Sequence, residues 1–149
     1  MGWFFGFKLH IIVNDKGEIM AIRVTPGNMD DRQVIDDMTS QLQGWLFADK
    51  GYISKKLFTQ LYRRGLKLIT GIRSNMKNYL MPLIEKLLLR RRFLIETIFD
   101  RLKTEMNVSH TRHRSVSNFC VNILSCLAAY QLKKQKPSMK IMRERLIQN

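Results

Sequence analysis

Two carboxylates stand where a charged oxygen ligand or acid–base group could work, Asp49 and Glu96. Asp49 follows the short apolar run Trp45-Leu46-Phe47-Ala48 and is followed by Lys50-Gly51-Tyr52. A carboxylate directly after a short buried strand, with Gly51 allowing close backbone approach, sits where α/β folds place ligands. A surface aspartate capping a turn would occupy the same position, and position alone favours that plainer role. Glu96 lies in an apolar helical stretch between Arg92 and Lys103. With Arg92 at zero, Glu96 falls at about 40° and Lys103 at about 20° on an α-helix, so the three charges form one stripe. Leu94, Ile95, Ile98, Phe99, Leu102 and Met106 fall at about 200° to 340°, so the stripe borders the buried face. An Arg92–Glu96 pair one turn apart accounts for the same residues as a salt bridge of about 0.3 kcal/mol.

A third cluster, His110-Thr111-Arg112-His113-Arg114, reads as a basic loop contacting phosphate, with histidine adding a pH-dependent charge. Two histidines three apart can also hold a metal on a helix, the weaker reading of this stretch. Cys120 and Cys126 match neither a metal spacing nor a disulfide framework and read as buried, reduced thiols.

These groups need elements to position them. Phe5 to Val13 is rich in aromatic and β-branched residues, Asn14 to Gly17 is turn-forming, and Glu18 to Thr25 is apolar again, which predicts a β-hairpin. Asp30 is an N-cap type for a helix carrying Val34, Ile35, Met38 and Leu42, with Gly44 as its stop. A buried strand over 45–48 leads into Asp49. Ser54 caps a helix through about Arg64 with Leu57, Phe58 and Leu61 inward, Gly65 ends it, and 66–72 is another strand. Strand, strand, helix, strand, helix, strand is an α/β order with a mixed sheet. From Tyr79 the pattern is helical, best formed over 90–106, then basic loop over 109–115, then an apolar helix over 116–132. The basic tail from Lys133, with Pro137, reads as mobile until DNA orders it. Residues 1–132 therefore read as one folded domain, which the resemblance below would make catalytic, and 133–149 as the tail.

The 149 residues carry a net charge of +14 and are 45% hydrophobic and 26% charged, a globular composition. The charge is unevenly spread. Residues 1–49 hold four basic and seven acidic groups, whereas 50–149 hold 22 basic and five acidic, net +17. So basic a surface attracts a polyanion, nucleic acid first, because neutralised phosphates release condensed counterions. The start lacks the basic region of a signal peptide, and the longest apolar run, 119–132, is too short to span a bilayer, so a cytoplasmic protein off the membrane is expected.

Arg92-x3-Glu96-x6-Lys103 resembles the core of the tyrosine–arginine–glutamate–lysine motif of bacterial insertion-sequence DDE transposases. The family's tyrosine would fall at position 89, which is Leu89. Ala48-Asp49-Lys50-Gly51-Tyr52 resembles the family's second-aspartate block. Gly6-Phe7-Lys8-Leu9-His10, followed by Thr25 to Asp31, resembles its hairpin and the loop after it. The stretch from Ser109 to Phe119 is most similar to the insertion-sequence family numbered nine-eighty-two. The resemblance spans about Gly6 to Ser138.

It implies a ribonuclease-H-like mixed sheet with flanking helices plus C-terminal helices, and cleavage and strand transfer of DNA by two-metal chemistry. Asp49 and Glu96 would be catalytic and would bind Mg²⁺ or Mn²⁺. Lys50, Arg92, Lys103, Arg112, His113 and Arg114 would contact DNA. The partners would be the insertion-sequence ends and target DNA in the nucleoid, handled by a homo-oligomer. The family's first aspartate belongs to a strand before the hairpin, and the chain opens almost at the hairpin. The first strand is therefore expected to be missing, and Asp15 sits in the turn and is no ready substitute. Asp30 and Asp31 follow the second strand and could lie nearer the active-site end, though nothing marks either as the replacement, and an inactive, N-terminally truncated copy is the expectation. A non-catalytic basic fragment that binds DNA or inhibits a full-length transposase is the alternative.

Overall fold

A computed structural model describes residues 6–71, 82, 89, 93–108 and 115–138. In chain order the elements are β1 (Phe7–Val13), β2 (Ile19–Pro26), α1 (Asp31–Met38), β3 (Gly44–Ala48), a 3₁₀ turn (Lys50–Tyr52), α2 (Lys55–Arg63), β4 (Leu66–Thr70), α3 (Phe93–Thr104) and α4 (Val116–Leu132). They form two compact units, one of Met1–Ile12 with Met20–Arg92 and one of Val13–Ile19 with Phe93–Asn149.

The predicted hairpin forms. Asn14 N donates to Glu18 O at 3.0 Å, Asn14 Oδ1 accepts from the amides of Lys16 and Glu18, and Gly17 takes the positive φ of 75° that the turn requires. The single mixed sheet is a correction. Among the described residues β1 pairs with β2 and β3 pairs with β4, giving two sheets of two strands. Each pair is built by a local connection, the hairpin by its turn and the parallel pair by the α2 crossover. No described strand bridges them. The chain is mixed α/β.

In the first unit, β3 and β4 run parallel in the register Gly44↔Leu66 to Ala48↔Thr70. Side chains alternate across a strand, so Leu46, Ala48, Leu66 and Leu68 share one face. That face packs with Ile35 of α1 and Leu57 and Leu61 of α2 into the unit's core. Three expectations change here. The 45–48 strand is not buried, since its other face leaves Trp45 50% exposed against Phe47. Phe58 points outward at 44% exposure, because Leu57 and Leu61 alone fill the inward stripe of α2. And α1 ends at Met38, before Leu42 and Gly44. Its C-cap, Thr39, turns its hydroxyl back to Ile35 O at 2.7 Å, and such back-bonding competes with continued helix. Gly44 instead opens β3 at φ 97°.

In the second unit, α3 buries Leu94, Ile98 and Leu102, and α4 buries Ile123, Leu127 and Tyr130. Cys120 and Cys126 are free as expected but half-buried rather than buried, with Cys126 Sγ donating to Met106 O at 3.3 Å. Lys133 pairs with Glu105, and Pro137 is buried. Residues 139–149 lie outside the described residues. No helix among the described residues is long and apolar enough to cross a membrane.

Candidate metal and DNA site

The register that pairs Ala48 with Thr70 sets Asp49 and Gly71 side by side just beyond the carboxyl ends of the two parallel strands. Open α/β sheets bind ligands at that end. Asp49 caps the 3₁₀ turn, its Oδ1 accepting from Lys50 N at 2.6 Å. The turn-capping role weighed from sequence is therefore real, and it holds an exposed carboxylate at the strand end. Lys50 lies across Gly71 so closely that a Cβ there would stand 3.2 Å from Lys50 Cε. Among the described residues nothing stands within 4 Å of where a Cβ on Gly51 would be.

Tyr52 links this end electrostatically to Asp31 as well as Asp49. Tyr52 closes the turn half-buried. Burial raises its phenol above the ordinary value, and the negative charges of Asp31 and Asp49 add to the rise. Both carboxylates therefore act on one hydroxyl. Lys8 Nζ donates to Asp31 Oδ1 and to Met29 O, each at 2.9 Å. His10, buried on β1, is hydrogen-bonded through Nε2 to Thr25 Oγ1 at 2.9 Å, and Gly27 N donates to Gly6 O at 2.7 Å. The two sequence segments that resemble the family's hairpin and following loop are thus one joined piece. The available signal was strand alternation, which puts Lys8 and His10 on the same face.

Glu96 and Lys103 are both exposed on α3, beside the half-buried Ile95 and Phe99 and away from the stripe of Leu94, Ile98 and Leu102. Helical spacing predicts a place bordering the buried face, and the observed burial of only Leu94, Ile98 and Leu102 leaves both charges on the solvent side. Arg92, Arg112, His113 and Arg114 lie outside the described residues. Asp49 falls in the first unit and Glu96 in the second.

The donor chemistry of Asp49 and Glu96 fits a hard divalent cation, for which carboxylate oxygens are the usual protein ligands. Among the described residues no three His, Cys, Asp or Glu side chains stand together as a metal-holding group. In type, each of the two carboxylates suits Mg²⁺.

No curated protein and no solved structure matches this chain. A family model described as a transposase DDE domain matches residues 1–116, which include Asp49, Tyr52, Glu96 and Lys103. By that match over most of its length, the chain belongs to the DDE transposase family.

Proposed function

We propose that this chain is the transposase of a bacterial insertion sequence, acting on the ends of its element and on target DNA in the nucleoid as a homo-oligomer. The observation that carries the reading is Asp49. It is an exposed carboxylate at the carboxyl end of a parallel strand pair, beside Lys50 and inside the family-matched span. Asp49 and Glu96 would hold Mg²⁺ or Mn²⁺. When bound, two such ions supply an activated water or 3′-hydroxyl nucleophile and stabilise the leaving oxygen of an in-line phosphoryl displacement. The chain's own residues do the rest. Lys50 and Lys103 neutralise phosphate charge, as would Arg92, Arg112, His113 and Arg114. The 3₁₀ turn keeps the Asp49 carboxylate at the strand end. A ribonuclease-H-like arrangement of residues 1–132, with 133–149 as a basic tail, is supported by the element order alone, since the described strands form two separate pairs.

The net +17 of residues 50–149 favours a second reading, a DNA-binding protein that does not cut. Incubation of supercoiled plasmid with the chain and Mg²⁺ or Mn²⁺, beside Asp49→Asn and Glu96→Gln, separates the two. Nicking that both variants lose supports the transposase reading. Binding without nicking, equal in all three proteins, selects the second.

A further inference from the structure

The solvent face of α2 carries a feature that the metal site does not use. Phe58 and Tyr62, one turn apart, stack with ring centroids 6.1 Å apart and planes 8° from parallel. They are 44% and 64% exposed. Lys55, Lys56 and Arg63 are exposed on the same helix, and none has an ion-pair partner among the described residues. Helical spacing puts these five side chains within an arc of about 160°, opposite the buried Leu57 and Leu61. The core does not need the two aromatics, and Leu57 and Leu61 already anchor the helix.

We infer that this face is a binding platform for single-stranded DNA, with Phe58 and Tyr62 stacking on unpaired bases and Lys55, Lys56 and Arg63 following the phosphates. A cationic stripe alone would suit duplex DNA equally, since duplex exteriors offer phosphates. Exposed aromatic rings beside it add what a duplex cannot use from outside, a stacking surface for bases already out of the helix. The inference rests on the reading that this chain handles DNA, and it assigns the part of the molecule that holds a strand once it is unpaired.

The test is fluorescence anisotropy of the full chain with labelled short oligo-dT and with a labelled duplex of equal length. Tyr62→Ala, Phe58→Ala and Tyr62→Trp are measured beside the parent, with circular dichroism as the folding check. Each alanine variant is expected to weaken oligo-dT binding about tenfold and duplex binding less than about twofold, while Tyr62→Trp retains oligo-dT binding. Duplex binding by the parent with no oligo-dT binding overturns this inference alone. Equal loss on both DNAs in the alanine variants, or no loss on either, does the same. Failure of the parent to bind either DNA removes the DNA reading as well. A change in sedimentation mass on Tyr62→Ala would assign the face to a protein partner and overturn the platform.

Discussion

The hydroxyl of Tyr130, fully buried on α4, donates at 2.8 Å to the carbonyl of Gly17, 113 residues away at the hairpin tip. The hairpin turn is thereby fastened to the last described helix within one unit. Burial also raises the phenol above its ordinary value, so it remains a donor throughout the working pH range. Tyr130→Phe keeps the ring and strands the carbonyl. It should lower stability by about 1–2 kcal/mol, read as a shift in urea midpoint at unchanged slope. No shift would mean that water replaces the phenol.

Gly17 is the more sensitive end of that contact. It holds φ at 75°, and a Cβ there would stand 2.1 Å from the backbone oxygen of Pro137. Neither a flexible side chain nor open space is available to absorb it. Gly17→Ala should cost roughly 2 kcal/mol or more, exceeding Tyr130→Phe. The ordering of the two variants in a thermal melt checks this.

Much of this arrangement was legible in the residues, and the misses have physical causes. The hairpin, the Asp30 and Ser54 caps, the bounds of α4 and the placement of Asp49 after a strand all follow from local rules of turns, caps and periodicity. Phe58 was placed inward by its apolar character, yet spacing on α2 leaves room inside only for Leu57 and Leu61. The place of Asp31 after the second strand pointed toward the active-site end, but its links to Lys8, His10 and Tyr52 depend on tertiary contacts between separate segments. Arg64 shows the same limit: it donates to Thr39 Oγ1 at 2.8 Å and pairs with Asp36 at 3.0 Å, tying α2 to α1 through side chains whose sequence pattern looks merely polar.

His10 makes the fold pH-sensitive. Burial holds its imidazole below the ordinary value of 6.5; Asp31 partly opposes this and Lys8 adds to it. With the folded value depressed, the unfolded chain takes up the proton first as pH falls. Stability is therefore full above about pH 7.5, declines as pH drops through the unfolded value, and levels off below the folded one. His10→Gln should flatten that decline between about pH 8 and pH 5 in urea titrations. A parent slope that persists in the variant would place its origin elsewhere.

Asp30 titrates in the opposite sense. The hydrogen bonds from the Arg32 side chain and from its backbone amide lower its carboxyl from 3.8 to about 2. The stabilising charge at the α1 N-terminus is therefore present above the unfolded value and lost as pH falls through about 2. A carbon-detected NMR titration should show the Asp30 carboxyl still ionised at pH 3 while solvent-exposed carboxylates near the ordinary value are mostly protonated. Arg32→Ala should return its midpoint toward 3.8.

Asp49 has two roles that one substitution can separate. Its Oδ1 accepts from Lys50 N, and an asparagine carbonyl can accept the same hydrogen bond at a helix N-cap, whereas alanine cannot. Asp49→Asn should therefore leave the melting temperature close to the parent's, while Asp49→Ala should lose about 1 kcal/mol from the uncapped turn. If the carboxylate is also a metal ligand, as proposed, Asn and Ala should be equally deficient in Mg²⁺-dependent chemistry despite their different stabilities. A melting shift on titrating Mg²⁺ or Mn²⁺ into the parent, absent in both variants, would establish the ligand role without any DNA. Should Asn behave like the parent in every assay and Ala fail only through instability, Asp49 is a turn cap and nothing more, and the proposed site loses its anchoring residue.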